Sequence, residues 1–279
     1  MMYKTLIETA VLAKHLHDPN WVIVDCRFSL ADTEAGERAY QEAHIPGAVY
    51  AHLDRDLSGP PTTDNGRHPL PTPAALTTLF GRLGIDRQKQ VIAYDDTNGM
   101  IAARLWWMLR YMGHEAVAVL DGGWQAWVAA SLPVRSGAET NPATLFVGSP
   151  KTEWLVRLTD VPHVSLLIDA RDPARYRGEL ETIDPKAGHI PGAVNYFYQE
   201  NWGENGRYLP PEEIRRRLQA VIGNHQPEEV VFYCGSGVSA CVNLLAMEHA
   251  GLGNGRLYVG SWSEWCRDPN RPIATGNTP

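Results

Sequence analysis

Short apolar, β-branched runs recur at 22–25, 91–94, 117–120, 166–169, 230–233 and 256–259, and each predicts a buried strand. Longer stretches with helical spacing lie between them. Two of these, 101–111 and 239–249, each follow directly on a strand and run out at Gly113 and Gly251, residues suited to the left-handed turn that closes a helix. Strands alternating with helices predict an α/β fold with a mostly parallel sheet flanked by helices.

The runs fall into two matching sets. W-V-I-V-D-C-R at 21–27 returns as L-L-I-D-A-R at 166–171, and H-I-P-G-A-V at 44–49 returns unchanged at 189–194. V-I-A-Y-D at 91–95 parallels V-V-F-Y-C at 230–234, and D-G-G-W-Q-A-W at 121–127 parallels V-G-S-W-S-E-W at 259–265. Four matches in one order, at so long a period, predict two similar domains that each bury a core of their own, not a solenoid. Residues 132–150 carry Pro, Gly, Ser and Thr without apolar periodicity, as a linker does. A first domain over 1–140 and a second over 150–279 follow, with the boundary near 145.

Composition narrows the function. With 44% hydrophobic and 20% charged residues among 279, the chain has the makings of a globular core and is not disordered or fibrous. A net charge of −7 without a basic run argues against nucleic acid as a partner. Charged residues break every apolar run of the first 21 residues, so neither a signal peptide nor a membrane span is expected, and the protein is expected to be cytoplasmic. Cys26, Cys234, Cys241 and Cys266 are too widely spaced for a disulfide framework or a paired zinc motif. No metal or organic cofactor is implied.

Where the two copies differ, chemistry separates from folding. The loop after the 230–233 strand reads Cys234-Gly-Ser-Gly-Val-Ser239-Ala, whereas its counterpart reads Asp95-Asp-Thr-Asn-Gly-Met-Ile-Ala. Gly235 and Gly237 let successive N–H groups point inward at the sulfur, and the following helix, with Ser239 as its expected N-cap, turns its positive end toward the same place. Such a cradle favours a thiolate, so Cys234 is the candidate nucleophile. Cys26, Cys241 and Cys266 are expected to pack. His44 and His189 occupy identical turns in both copies and are expected to make structural hydrogen bonds. A cysteine phosphatase would need an arginine after five intervening residues to clamp phosphate, and Ala240 stands there.

These residues resemble the rhodanese superfamily, and in it the tandem two-domain sulfurtransferases whose C-terminal domain alone keeps the active cysteine. The loop C-G-S-G-V-S is similar to that of 3-mercaptopyruvate sulfurtransferases, whereas thiosulfate-preferring members carry basic residues there. The resemblance implies sulfur transfer from 3-mercaptopyruvate, or alternatively from thiosulfate, through a Cys234 persulfide to a small thiol, cyanide or thioredoxin. It implies that Gly235, Ser236, Gly237, Val238 and Ser239 cradle the donor, that Ser236 works with His68 and Asp54, and that Arg175 holds the donor's carboxylate. The family's second carboxylate-binding arginine has no match before the second H-I-P-G, where Lys186 and Arg177 are the candidate substitutes.

Overall fold

In the computed structural model, which describes residues 2–279, ten strands form two five-stranded sheets, one in each of two compact units. The first unit contains the residues up to Gly59, Pro71–Lys151 and Glu204–Arg207; the second contains Pro60–Leu70, Thr152–Gly203 and Tyr208–Pro279. The units are thus discontinuous in sequence, and His68 belongs to the second.

The first unit runs β1 (Leu6–Ile7), α1 (Thr9–Leu12), β2 (Trp21–Asp25), α2 (Ala35–Glu42), β3 (Ala48–Tyr50), α3 (Pro73–Arg82), β4 (Gln90–Tyr94), α4 (Ala102–Tyr111), β5 (Val117–Leu120) and α5 (Gly123–Ala129). The second runs β6 (Leu155–Val156), β7 (Leu166–Asp169), α6 (Pro173–Arg177), β8 (Ala193–Asn195), α7 (Pro211–Ile222), β9 (Val230–Tyr233), α8 (Ala240–His249), β10 (Arg256–Tyr258) and α9 (Ser261–Trp265). The sheet orders, β1-β5-β4-β2-β3 and β6-β10-β9-β7-β8, are the same topology, and all neighbours are parallel. The α/β fold expected from the sequence is the fold observed. Central β4 and β9 are buried along their whole length, as their unbroken apolar runs require. The edge strands β1, β3, β6 and β8 span two or three residues, too few to show any periodicity.

The repeated motifs are structural. Asp25 and Asp169 end their strands and bind the arginine two residues on, Arg27 Nη2 donating at 2.7 Å and Arg171 Nη2 at 2.6 Å. The same nitrogens donate to the carbonyls of Ala43 and Gly188, immediately before each H-I-P-G turn. Each guanidinium also lies over a tryptophan, Trp124 at 4.5 Å and Trp262 at 4.6 Å. His44 and His189 donate through Nδ1 to the carbonyls of Tyr40 and Tyr176, both at 2.8 Å. Strand end, turn and tryptophan helix are therefore tied together in the same way in each unit.

Candidate active site

In the second sheet the chain passes outward from β7 to β8 in one direction and from β9 to β10 in the other, so the order reverses between β7 and β9. A crevice opens beyond the carboxyl ends of strands at such a point, and Cys234 is the first residue after β9.

The start of α9 holds the Cys234 loop. The Cys234 N–H donates to Ser261 Oγ at 3.1 Å, Trp262 N–H donates to the Cys234 carbonyl at 2.9 Å, and Ser263 N–H to the Gly235 carbonyl at 2.8 Å. Gly237 has φ +75°, and a Cβ there would lie 2.4 Å from the Val259 carbonyl oxygen, so only glycine makes this turn. The turn brings the Gly237 N–H back to donate to Cys234 Sγ at 3.1 Å. One helical turn further on, the Cys241 thiol donates to the Gly237 carbonyl at 3.4 Å and braces the same loop. Val238 is buried beside it. Ser239 occupies the N-cap position of α8, but the expected side-chain cap is not made: its φ and ψ of −67° and −19° are already helical, whereas a capping serine needs an extended backbone.

His68 enters on the segment 60–70, which is pinned to the rest of its unit at several points. Arg67 N–H donates to Ser263 Oγ at 3.0 Å, and Arg267 Nη1 donates to the carbonyls of Thr62 and Asn65 at 3.0 and 2.6 Å. Gly66 approaches the Gly260 carbonyl so closely that a Cβ would meet its oxygen at 2.5 Å. His68 Nδ1 and Ser236 Oγ then hydrogen bond at 2.7 Å, both side chains buried. The direction of that bond follows the imidazole tautomer.

Arg175 lies on α6, which Asp172 caps by accepting the Ala174 N–H at 2.8 Å. Its Nη2 donates to Glu181 Oε1 at 2.8 Å and to Asp184 Oδ2 at 3.1 Å. Glu181 also accepts the N–H groups of Ile183 and Asp184. Burial opposes ionisation of Glu181, but these N–H groups and Arg175 outweigh it and lower its pKa. Beside Arg175 stands Arg67, whose Nη1 donates to the other oxygen of Asp184 at 2.6 Å. A side chain at Gly235 would place its first carbon 3.1 Å from Arg67 Nη2 and 3.7 Å from Arg175 Nη1, so two guanidiniums overlie the cysteine loop. Nothing local in the sequence singles out Arg67. Its position next to His68 was the one available signal. Of the two candidate substitutes, Arg177 pairs with exposed Glu179, and Lys186 Nζ donates to the Asp268 carbonyl.

Asp54 belongs to the first unit, where its N–H donates to His52 Nδ1 at 3.1 Å and burial raises its carboxyl pKa. The role expected of it rests on the resemblance alone. All four cysteines are free thiols. Burial, helped by the Asp25 charge, pushes Cys26 well up, and burial pushes Cys266 up to about 11. In the first unit the Asp95 carboxylate fills the place of the cysteine. Its Oδ1 accepts the N–H groups of Thr97 and Gly99, both at 2.8 Å, and its Oδ2 those of Ile101 and Ala102 at 2.7 and 2.8 Å. Among the described residues, no cluster of three or more His, Cys, Asp or Glu is placed to hold a metal ion, and no helix is long and apolar enough to cross a membrane.

Comparison with known proteins agrees with the doubled fold. The rhodanese-like domain model matches residues 8–130 and again 151–268. The chain is 46% identical over 280 residues to a probable 3-mercaptopyruvate sulfurtransferase of Pseudomonas aeruginosa, covering 98% of each sequence. It is 37% identical over 286 residues to the putative thiosulfate sulfurtransferase SseB of Mycobacterium tuberculosis, again covering 98% of each. Among solved structures, the 3-mercaptopyruvate sulfurtransferase from Leishmania major superposes with a TM-score of 0.84 at 34% identity, covering 94% of this chain and 74% of that one. With a rhodanese domain in each half and sulfurtransferases as full-length relatives, the chain belongs to the tandem-domain rhodanese family.

Proposed function

We propose that this protein transfers sulfane sulfur from 3-mercaptopyruvate to a thiol or cyanide acceptor through a persulfide on Cys234. The observation that carries the reading is the N–H of Gly237 donating to Cys234 Sγ at 3.1 Å beneath two arginines. An amide aimed at sulfur stabilises negative charge there, and it is in place before the reaction begins.

In the first half-reaction the Cys234 thiolate attacks the donor's sulfur. The carbon–sulfur bond breaks with its electron pair passing to the enolate of pyruvate, and sulfur stays on the enzyme as Cys234–S–SH. A proton delivered to the enolate carbon completes pyruvate. The Ser236–His68 pair supports this proton movement, since the two side chains are hydrogen bonded and buried beside the cysteine. Asp54 is proposed as a partner of that histidine from the resemblance. In the second half-reaction the acceptor attacks the outer sulfur and releases the Cys234 thiolate. A small thiol, cyanide or thioredoxin has the nucleophile this requires. Four free thiols fit a reducing compartment, and we place the reaction in the cytoplasm.

Thiosulfate as donor is the second reading, favoured by the relative named for it. Against it, the loop Gly235–Ser239 carries no cationic side chain of its own, and the two arginines above it are already paired with Glu181 and Asp184, which offset the charge a dianion would need beside the transferred sulfur. Intact mass after incubation with each donor at equal concentration tests both: the expected result is a gain of one sulfur atom from mercaptopyruvate, lost in Cys234→Ser. Faster loading from thiosulfate would overturn the donor assignment, and loading that survives Cys234→Ser would overturn the mechanism.

A further inference from the structure

The two arginines over the cysteine loop are each only half engaged. Arg67 spends Nη1 on Asp184, while its buried Nε has no hydrogen-bond acceptor among the described residues and its Nη2 faces Gly235. Nε and Nη2 lie on one edge of a guanidinium and form its side-on fork of two parallel N–H groups. The same edges of Arg27 and Arg171 grip Asp25 and Asp169 in this protein. An edge whose buried Nε lacks an acceptor and whose Nη2 faces the loop matches a planar carboxylate. Arg175 is divided in a related way: Nε and Nη2 serve Glu181 and Asp184, and Nη1 is turned to the loop.

We propose that Arg67 selects the donor by gripping its carboxylate with the free Nε–Nη2 edge, alongside Arg175 Nη1, and that Asp184, bonded to both guanidiniums, is the positioning residue that sets their spacing. This deepens the sulfur-transfer reading and rests on it. Asp184 and Glu181 balance the charges of Arg67 and Arg175, so the pair attracts by shape and hydrogen-bond geometry more than by net charge. A donor whose carboxylate lies a ketone carbon away from the thiol-bearing carbon then reaches the fork while its sulfur reaches Cys234. A tetrahedral dianion can fill the same fork, but its oxygens lie two bonds from the transferred sulfur instead of four, so a fork set at the carboxylate's reach from Cys234 serves it less well. Lysine is a poor substitute for Arg67, because it keeps the charge and loses the fork.

The test compares the full-length protein with Arg67→Gln, Arg67→Lys and, as a surface control, Arg216→Gln on the exposed face of α7. With mercaptopyruvate, KM is expected to rise about tenfold or more in both Arg67 variants, with kcat nearly unchanged. Thiosulfate kcat/KM should move by less than about threefold, and Arg216→Gln should match the parent. In a Cys234→Ser background, pyruvate serves as a carboxylate probe by calorimetry without turnover, and Arg67→Gln should weaken its binding by about tenfold. Unchanged pyruvate affinity in a folded Arg67→Gln protein overturns the inference and leaves sulfur transfer standing. Failure of the parent to load sulfur from mercaptopyruvate overturns the functional reading instead, and the pyruvate titration still judges Arg67. Should Arg67→Gln not fold, Arg67→Lys decides, since full affinity in a protein without the fork also overturns the inference.

Discussion

After β4 the chain turns into α4 through Asp95, and after β9 it turns into α8 through Cys234, on the same topology and beside the same kind of tryptophan helix. In the first loop a carboxyl group takes four backbone N–H groups as part of the fold, and burial outweighs them enough to raise its pKa above the ordinary aspartate value. In the second a sulfur takes the N–H of Gly237, the segment carrying His68 closes on Ser236, and Arg67 and Arg175 stand above. The turn between these strands and helices aims backbone amides at the residue that follows the strand, four at the Asp95 carboxyl group and that of Gly237 at the Cys234 sulfur. Whether those amides serve the fold or a charge formed during a reaction distinguishes a structural loop from a chemical one.

The comparison is broken most severely at the sulfur itself. Cys234→Ser should lower sulfur loading by more than about a thousandfold, as loss of a covalent nucleophile does, while the equivalent change in the first unit leaves the reaction in place; mass spectrometry of single-turnover samples reads this. Stability should respond the other way round. Asp95→Ala leaves four inward N–H groups without their acceptor and should cost about 3 kcal/mol or more, against about 1 kcal/mol or less for Cys234→Ala. The two urea midpoints, measured on the whole chain, check the difference, and equal shifts would dissolve the contrast. Gly237→Ala forces a side chain into the left-handed region and against the Val259 carbonyl. It should cost about 2 kcal/mol and lower loading more than about tenfold, measured by thermal melts and donor turnover. The smallest effect sharpens the contrast among the thiols. At pH 7, iodoacetamide should label Cys234 while Cys26 and Cys266 stay protonated and unlabelled, because burial raises both; Cys266, at about 11, becomes a thiolate only when the pH climbs toward that value or the unit unfolds. Peptide mapping after a brief pulse checks it.

Much of this was legible along the chain. The strands at 117–120, 166–169 and 230–233 occur as read, and the helices expected from 101 and 239 begin one residue later, at Ala102 and Ala240. Core strands and helices announce themselves because burial imposes a period or an unbroken apolar run over several residues. The two-residue strands β1 and β6 impose neither. Ser239 looked like a cap because serine is the right residue type, but capping also depends on φ and ψ, which the preceding glycine turn sets. The cysteine loop was legible from its glycines; a reversed backbone demands Gly237 locally, whereas Gly235 lies under the guanidiniums of Arg67 and Arg175 without such a turn.

By itself, then, the sequence determined the doubled α/β scaffold, the candidate nucleophile and the glycine turn that reaches it, because each depends on residues close together in the chain. Only the tertiary structure decided that the segment 60–70 joins the second unit, that His68 meets Ser236 across 168 residues, and that Arg67 and Arg175 share Asp184. Those pairings depend on where distant segments come to rest, which is set by close backbone approaches such as that of Gly66 to Gly260 and by burial summed over a whole unit, not by any local pattern.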